Sequence, residues 1–186
     1  LNGCSDRCLV IEAAASDVTG GGTLFLCRDN DGSHSLLSDW AAGQDQSTKM
    51  EVQLATLGSI IGANPGFEHV DFIKVDTEGH DLKVLLGLGA LLKPEIVACL
   101  YTELGRDRAV AVQLLQERGY TGFVARAFPS GVAMRRAARR SERGIPEYFF
   151  LESGPCGDER VMLWCGRGSR IEERLRLLAR NARPSE

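Results

Sequence analysis

The chain has 186 residues, 44% hydrophobic and 25% charged, which suits one domain with a sizeable core. Its formal net charge of -3 predicts no general attraction for nucleic acid or an anionic membrane surface. No apolar run approaches the ~20 residues that span a bilayer, and the opening Leu1–Arg7 lacks the regions of a secretion signal, so a cytoplasmic protein is expected.

In chain order, Cys8-Leu-Val-Ile11 reads as a strand and Thr23-Leu-Phe-Leu-Cys27 as another. Gly20–Gly22, the only dense glycine run, reads as a hairpin turn between short strand-like segments. Asp29 to Gly32 is a turn cluster, and Met50–Leu54 alternates apolar and polar residues as a half-buried strand does. Thr56 to Ile61 reads as a short helix, ended by Gly62 and the Asn64-Pro65-Gly66 turn. Next comes an apolar strand (Phe72, Ile73, Val75) that runs into two acids, Asp76 and Glu78. Gly79 then opens a helix whose Leu82, Leu85 and Leu86 lie at i, i+3 and i+4, the spacing of one buried face.

Pro94 forbids continuation of that helix, and Glu95–Tyr101 is a near-continuous apolar run, the mark of a strand covered on both sides. Arg106 to Arg118 forms an amphipathic helix (Val110, Leu114, Leu115) with Gly119 in the position just past its end. Phe123-Val124 begins a strand, and Tyr148–Leu151 with Val161–Cys165 reads as a closing antiparallel pair. Ile171 to Leu178 is an amphipathic terminal helix.

The six cysteines (Cys4, Cys8, Cys27, Cys99, Cys156, Cys165) form no C-x-x-C, and three histidines are scattered, which argues against structural zinc. Buried thiols in a reducing compartment are expected, with disulfides in a secreted protein as the alternative. The site candidate is the turn after Val75. Ligands of open α/β sheets sit at the carboxyl ends of parallel strands. Two acids one residue apart are costly there unless a cation, a ligand or backbone N–H groups compensate them.

Asn2-Gly3, Glu12–Asp17, Gly22–Phe25, Gly32–Leu37, Ile73-Lys-Val-Asp-Thr-Glu-Gly79, the Val84-Leu-Leu-Gly87 helix, Leu91–Pro94 and the strand ending at Glu103 follow one another in a set order. These blocks resemble the FkbM-type S-adenosylmethionine-dependent methyltransferases over roughly the first two thirds of the chain. The resemblance implies an α/β fold: a Rossmann-like methyltransferase sheet, mostly parallel, with an antiparallel C-terminal hairpin. It implies S-adenosylmethionine as cofactor and O-methyl transfer to a hydroxyl of a sugar or secondary metabolite. Residues 1–168 would be a partial methyltransferase domain and 169–186 an appended amphipathic helix and tail.

The family's opening strand, glycine-rich turn and second, acid-ended strand have no counterpart, and the first residue is Leu1. A carboxyl-terminal portion, with its N-terminal strands missing, is therefore expected. The missing strands would lie in mid-sheet, leaving one edge of the Phe72–Val75 strand unpaired and open to self-association. That strand and Ile96–Tyr101 are expected to stay adjacent and parallel, with the amino-terminal strands added at an edge or loosely packed.

The resemblance places Asp76 near the sulfonium and the acceptor hydroxyl, where a carboxylate could orient or deprotonate it or hold a divalent cation. Glu78 and Glu103 would complete an oxygen-ligand cluster, although no metal ion is assigned. The competing reading has Asp76 capping the next helix and Glu78 favouring its positive end. Ala14, Ala15, Ser16 and Asp17 would lie beside the adenine, with Asp17 accepting from its amine, or would be an ordinary strand-ending turn. Ser33 and Ser35 would shape the acceptor pocket or simply form turns.

Where relatives carry an Asp after the Leu of the Thr56 segment, Gly58 follows Leu57 here. His80 is read as a solvent-facing or packing histidine before a general base, and Lys74 as snorkelling or paired with an acid. Arg126, Arg135–Arg140 and Arg143 form a solvated patch or a site for a phosphorylated or carboxylated acceptor. Rival functions are a non-catalytic remnant or interaction domain that keeps the scaffold, and a carboxylate-metal hydrolase.

Overall fold

The computed structural model describes residues 7–28, 30–40, 47–127, 149–153 and 161–181. Among them are two sheets and four α-helices. The first sheet holds β1 (Ala14–Ala15), β2 (Gly20–Leu26) and β3 (Thr48–Ala55) in the order β1-β3-β2, with β3 parallel to β1 and antiparallel to β2. Gly20–Gly22 are therefore not a hairpin turn. They open β2 and pair with Leu54, Gln53 and Val52. Leu54 lies across this strand, and a Cβ on Gly22 would sit 2.9 Å from its side chain, so glycine makes room for the leucine. The expected strand at Cys8–Ile11 does not form; Val10 is 83% exposed, and without a neighbouring strand its backbone has no ladder to join.

The second sheet holds β4 (Val70–Val75), β5 (Val97–Glu103), β6 (Tyr120–Ala127), β7 (Phe149–Ser153) and β8 (Val161–Gly166). Their order is β4-β5-β8-β6-β7. As expected, β4 and β5 are adjacent and parallel. The other pairs in this sheet, β5–β8, β8–β6 and β6–β7, are all antiparallel, which corrects the expectation of a mostly parallel sheet. β7 and β8 do not pair with each other either. β8 inserts between β5 and β6, where both its neighbours bury it, and β7 is left at the edge.

Strand alternation sorts the side chains of this sheet onto two faces. One face carries Val75, Leu100, Thr102, Met162, Trp164 and Val124, all buried. It packs against α2 (Asp81–Leu86) and α3 (Arg108–Glu117), with Val84, Leu85, Ala111 and Leu115 in one core. Trp164 fits because Gly122 faces it without a side chain, and its indole N–H donates to Thr102 Oγ1 at 3.1 Å. Of the expected face of α2, Leu85 is buried and Leu82 packs partly on the core, whereas Leu86 is 45% exposed and Asp81 and Val84 are buried instead. Gly119 ends α3 with φ +90°, as its position predicts.

The other face carries Cys99, Phe123, Leu163 and Cys165, covered by α4 (Arg170–Asn181) through Leu175. The remaining helix, α1 (Leu57–Ala63), follows β3 and is capped by Thr56 Oγ1, which accepts from the Ser59 amide at 3.0 Å. No helix of the described residues is long and apolar enough to cross a membrane. Leu1–Gly3, Cys4, Asp29, Arg135–Arg140, Arg143, Tyr148 and Cys156 lie outside the described residues, and Arg126 falls within β6.

Candidate active site

Val75, the last residue of β4, points into the core, so the neighbours Lys74 and Asp76 face outward. Lys74 pairs in register with Tyr101, and alternation brings Glu103 of β5 to the same face. Lys74 Nζ forms an ion pair with Asp76 Oδ2 and stands 6.0 Å from the centre of the Tyr101 ring. The Asp76 carboxylate is the main influence raising the Lys74 pKa, and Glu103 adds to it. With its side chain 31% exposed and its partner more so, Asp76 sits in a pair of the surface kind, worth about 0–1 kcal/mol. Opening that pair to admit a hydroxyl costs little. Asp76 does not cap α2, whose first turn begins after His80 without a side-chain cap.

Glu78 goes elsewhere. It is the one described non-glycine residue with positive φ, at 49°, and Gly79 follows at φ 91°. Left-handed backbone at a glutamate costs roughly 1–3 kcal/mol and persists only where neighbours hold it. Two do so here. Ser35 Oγ donates to the Glu78 carbonyl at 2.7 Å, and Trp40 Nε1 donates to Glu78 Oε2 at 2.6 Å. The Trp40 ring lies on Gly79 and Gly105, where a Cβ would collide with it; at Gly105 the gap would be 2.7 Å. Asp39 then anchors the same segment to the turn after β5, through bonds of 3.1 and 3.2 Å from Arg106. The 35–40 segment thus straps the carboxyl edge of β4 and β5.

The Ala14–Asp17 segment reaches the same corner from the first sheet. Ser16 is buried and its Oγ lies 3.0 Å from His80 Nε2, while Asp17 pairs with Lys83 of α2 at 2.8 Å. Lys83 is the first cause lowering the Asp17 carboxyl pKa. Burial lowers the His80 pKa, and its Nδ1 has no hydrogen-bond partner among the described residues. Burial likewise raises the carboxyl pKa of Asp81; Thr77 Oγ1 donates to its Oδ2 at 3.2 Å. Gly58 N donates to Gly87 O at 2.9 Å, and a Cβ at Gly58 would come 3.0 Å from that carbonyl. A side chain at position 58 would require that carbonyl to shift.

Of the residues singled out in the sequence, Asp76 and Glu103 share a face with Lys74, which pairs with Asp76, whereas Glu78 turns to Trp40. Among the described residues no three His, Cys, Asp or Glu side chains gather as a metal-holding group. Ser35 is a strut under Glu78, and Ser33 belongs to a 3-10 turn, donating its amide to Asn30 O at 2.9 Å. Sequence reasoning missed Trp40 and Lys83. The only signal for Trp40 was a large aromatic in an otherwise polar turn, Ser38-Asp-Trp40.

Residues 2–121 match the family model described as the methyltransferase FkbM domain. No curated protein and no solved structure matches the chain.

Proposed function

Because the chain belongs to the FkbM methyltransferase family, we propose that it serves O-methyl transfer from S-adenosylmethionine to a hydroxyl of a sugar or secondary metabolite. The cofactor would supply an electrophilic methyl group on a sulfonium, and the chain would gain rate by alignment. The observation that carries this reading is Asp76: an acid at the carboxyl end of a parallel strand, partly open, and held among the described residues by an exposed lysine alone. In that position it orients the acceptor hydroxyl or takes its proton, while Lys74 and Glu103 set the local charge. Glu78 acts from behind, fixing the turn that presents Asp76.

The residues fit the adenine end of such a cofactor. Ala14 and Ala15 offer a half-buried edge of small side chains, and Asp17, 26% exposed, keeps accepting capacity beside Lys83. At the methionine end Gly20–Gly22 form no glycine loop, since they are extended strand paired with β3. No step is assigned there. In this reading β4 and β5 belong to a Rossmann-like methyltransferase sheet, part of a larger domain, working in the cytoplasm without nucleic-acid or membrane partners. The free edge of β4 lets two copies associate.

The commitment of Gly20–Gly22 to β2 favours one rival, a non-catalytic domain that keeps the scaffold. Calorimetric titration with S-adenosylmethionine separates them: binding in the micromolar range supports the transferase, and no heat at high micromolar ligand supports the rival. Label transfer from the cofactor to a panel of sugar and polyketide alcohols then tests Asp76. Asp76→Asn is expected to lower turnover by roughly 10²–10⁴-fold; unchanged turnover sinks its assigned role.

A further inference from the structure

Cys99 of β5 and Cys165 of β8 are directly opposite in an antiparallel pair, so their side chains rise from the same face of the sheet. Residues so placed have Cα atoms about 4.5 or 5.5 Å apart depending on the pair type. Both spacings lie inside the roughly 4.4–6.8 Å that a disulfide spans. Both cysteines are free thiols, and they share one apolar cluster with Phe123, under Leu175 of α4. Neither takes part in the corner at Asp76. The remaining described cysteines are differently placed: Cys8 is exposed outside any strand, and Cys27 follows β2.

We propose that Cys99 and Cys165 are a redox-convertible cross-strand pair, closed to a disulfide by a small disulfide oxidant of the glutathione type when α4 lifts from the sheet. In the first step one cysteine, as thiolate, attacks a sulfur of the oxidant, whose S–S bond breaks and releases one thiolate. In the second, the other cysteine attacks the protein sulfur of that mixed disulfide and expels the second thiolate. The two cysteines lose two electrons and two protons; the oxidant ends as two thiols.

α4 controls the rate. Cys165 is fully buried and Cys99 nearly so. Burial raises both thiol pKa values, that of Cys165 to about 12, so little thiolate exists while the helix is docked. The cover is light. Leu175 packs on the cluster and the Arg176 guanidinium sits 5.9 Å from the Phe123 ring centre, while Leu177 and Leu178 face solvent.

The test incubates the full chain with oxidised glutathione, blocks remaining thiols by alkylation, and maps the digest by mass spectrometry. A cross-linked peptide joining Cys99 to Cys165 is expected. It should form about tenfold faster in Leu175→Ala, where helix docking is weakened. Oxidised wild type should melt at higher temperature than reduced, and Cys165→Ala should show no such shift. Should that variant not fold, the peptide map of the wild type decides alone. Separate glutathione adducts on the two cysteines, or two thiols that stay reduced even in Leu175→Ala, overturn the pairing; equal rates in wild type and Leu175→Ala overturn the role of α4.

Discussion

The indole of Trp40 combines two contacts: its N–H holds the Glu78 carboxylate and its ring fills the space over Gly79 and Gly105. Trp40→Phe keeps most of the ring and removes the donor, leaving a half-buried carboxylate oxygen without its partner. A loss of about 1–2 kcal/mol in urea unfolding is expected, and an unchanged midpoint would mean that the bond holds nothing. His80 gives a pH signature. Burial is the main cause lowering its pKa, opposed by Asp17 and aided by Lys83. The folded chain therefore binds this proton less readily than the unfolded one, whose imidazole titrates near ~6.5. The stability involved is fully present above that value and is lost as pH falls below it towards the folded pKa. Urea midpoints at neutral and mildly acidic pH should differ less for His80→Gln than for wild type; an equal difference in the two would refute the assignment. None of this could be read from spacing. Trp40 and Glu78 are 38 residues apart, Ser16 and His80 are 64 apart, and such pairs exist only once the chain has folded.

β4 is bonded to β5 on one side and ends the sheet on the other, and Phe72 on it is 52% exposed. Exposed edges with apolar side chains invite strand addition. If two copies associate there, Phe72→Lys should shift the chain towards monomer in sedimentation at tens of micromolar, with no change in unfolding midpoint. Equal sedimentation of variant and wild type removes this edge from consideration. Strands with a strong local signature were legible: the alternation at Met50–Leu54 gave β3, and the apolar run before Tyr101 gave β5. Cys8–Ile11 carries the same signature without forming a strand, because ladder bonds depend on a neighbour that composition does not supply. Gly20–Gly22 misled in the opposite sense; the need for glycine there comes from Leu54 on the facing strand, not from a turn. The antiparallel place of β8 between β5 and β6 was equally hidden, since strand order is a long-range choice.

At the scale of the molecule, the two sheets meet along a narrow seam. Gly87 at the end of α2 lies against the Ser16 carbonyl, so closely that any Cβ would strike it, and its own carbonyl accepts from Gly58. Asp17 and Lys83 close the seam at its exposed side. Gly87→Ala needs no unusual backbone angle, so its whole effect is steric: a loss of about 1–3 kcal/mol is expected. Calorimetry should show that loss as a lowered melting temperature, and a neutral result would mean that the sheets are not packed here. The place of Asp76, just past the carboxyl end of β4, was legible because strand, acid and glycine are adjacent in sequence. Its link to the Ala14–Asp17 segment was not, since the seam that joins them rests on two glycines whose role is to be small.

The chain has two tryptophans. Trp164 is sealed in the core with its N–H fixed on Thr102, whereas Trp40 stands at the strapped corner with its N–H on a carboxylate. Their emission should therefore separate, and only that of Trp40 should respond when a small molecule enters beside Glu78. Occupancy could then be followed by fluorescence in unlabelled protein, before any product of the reaction is known.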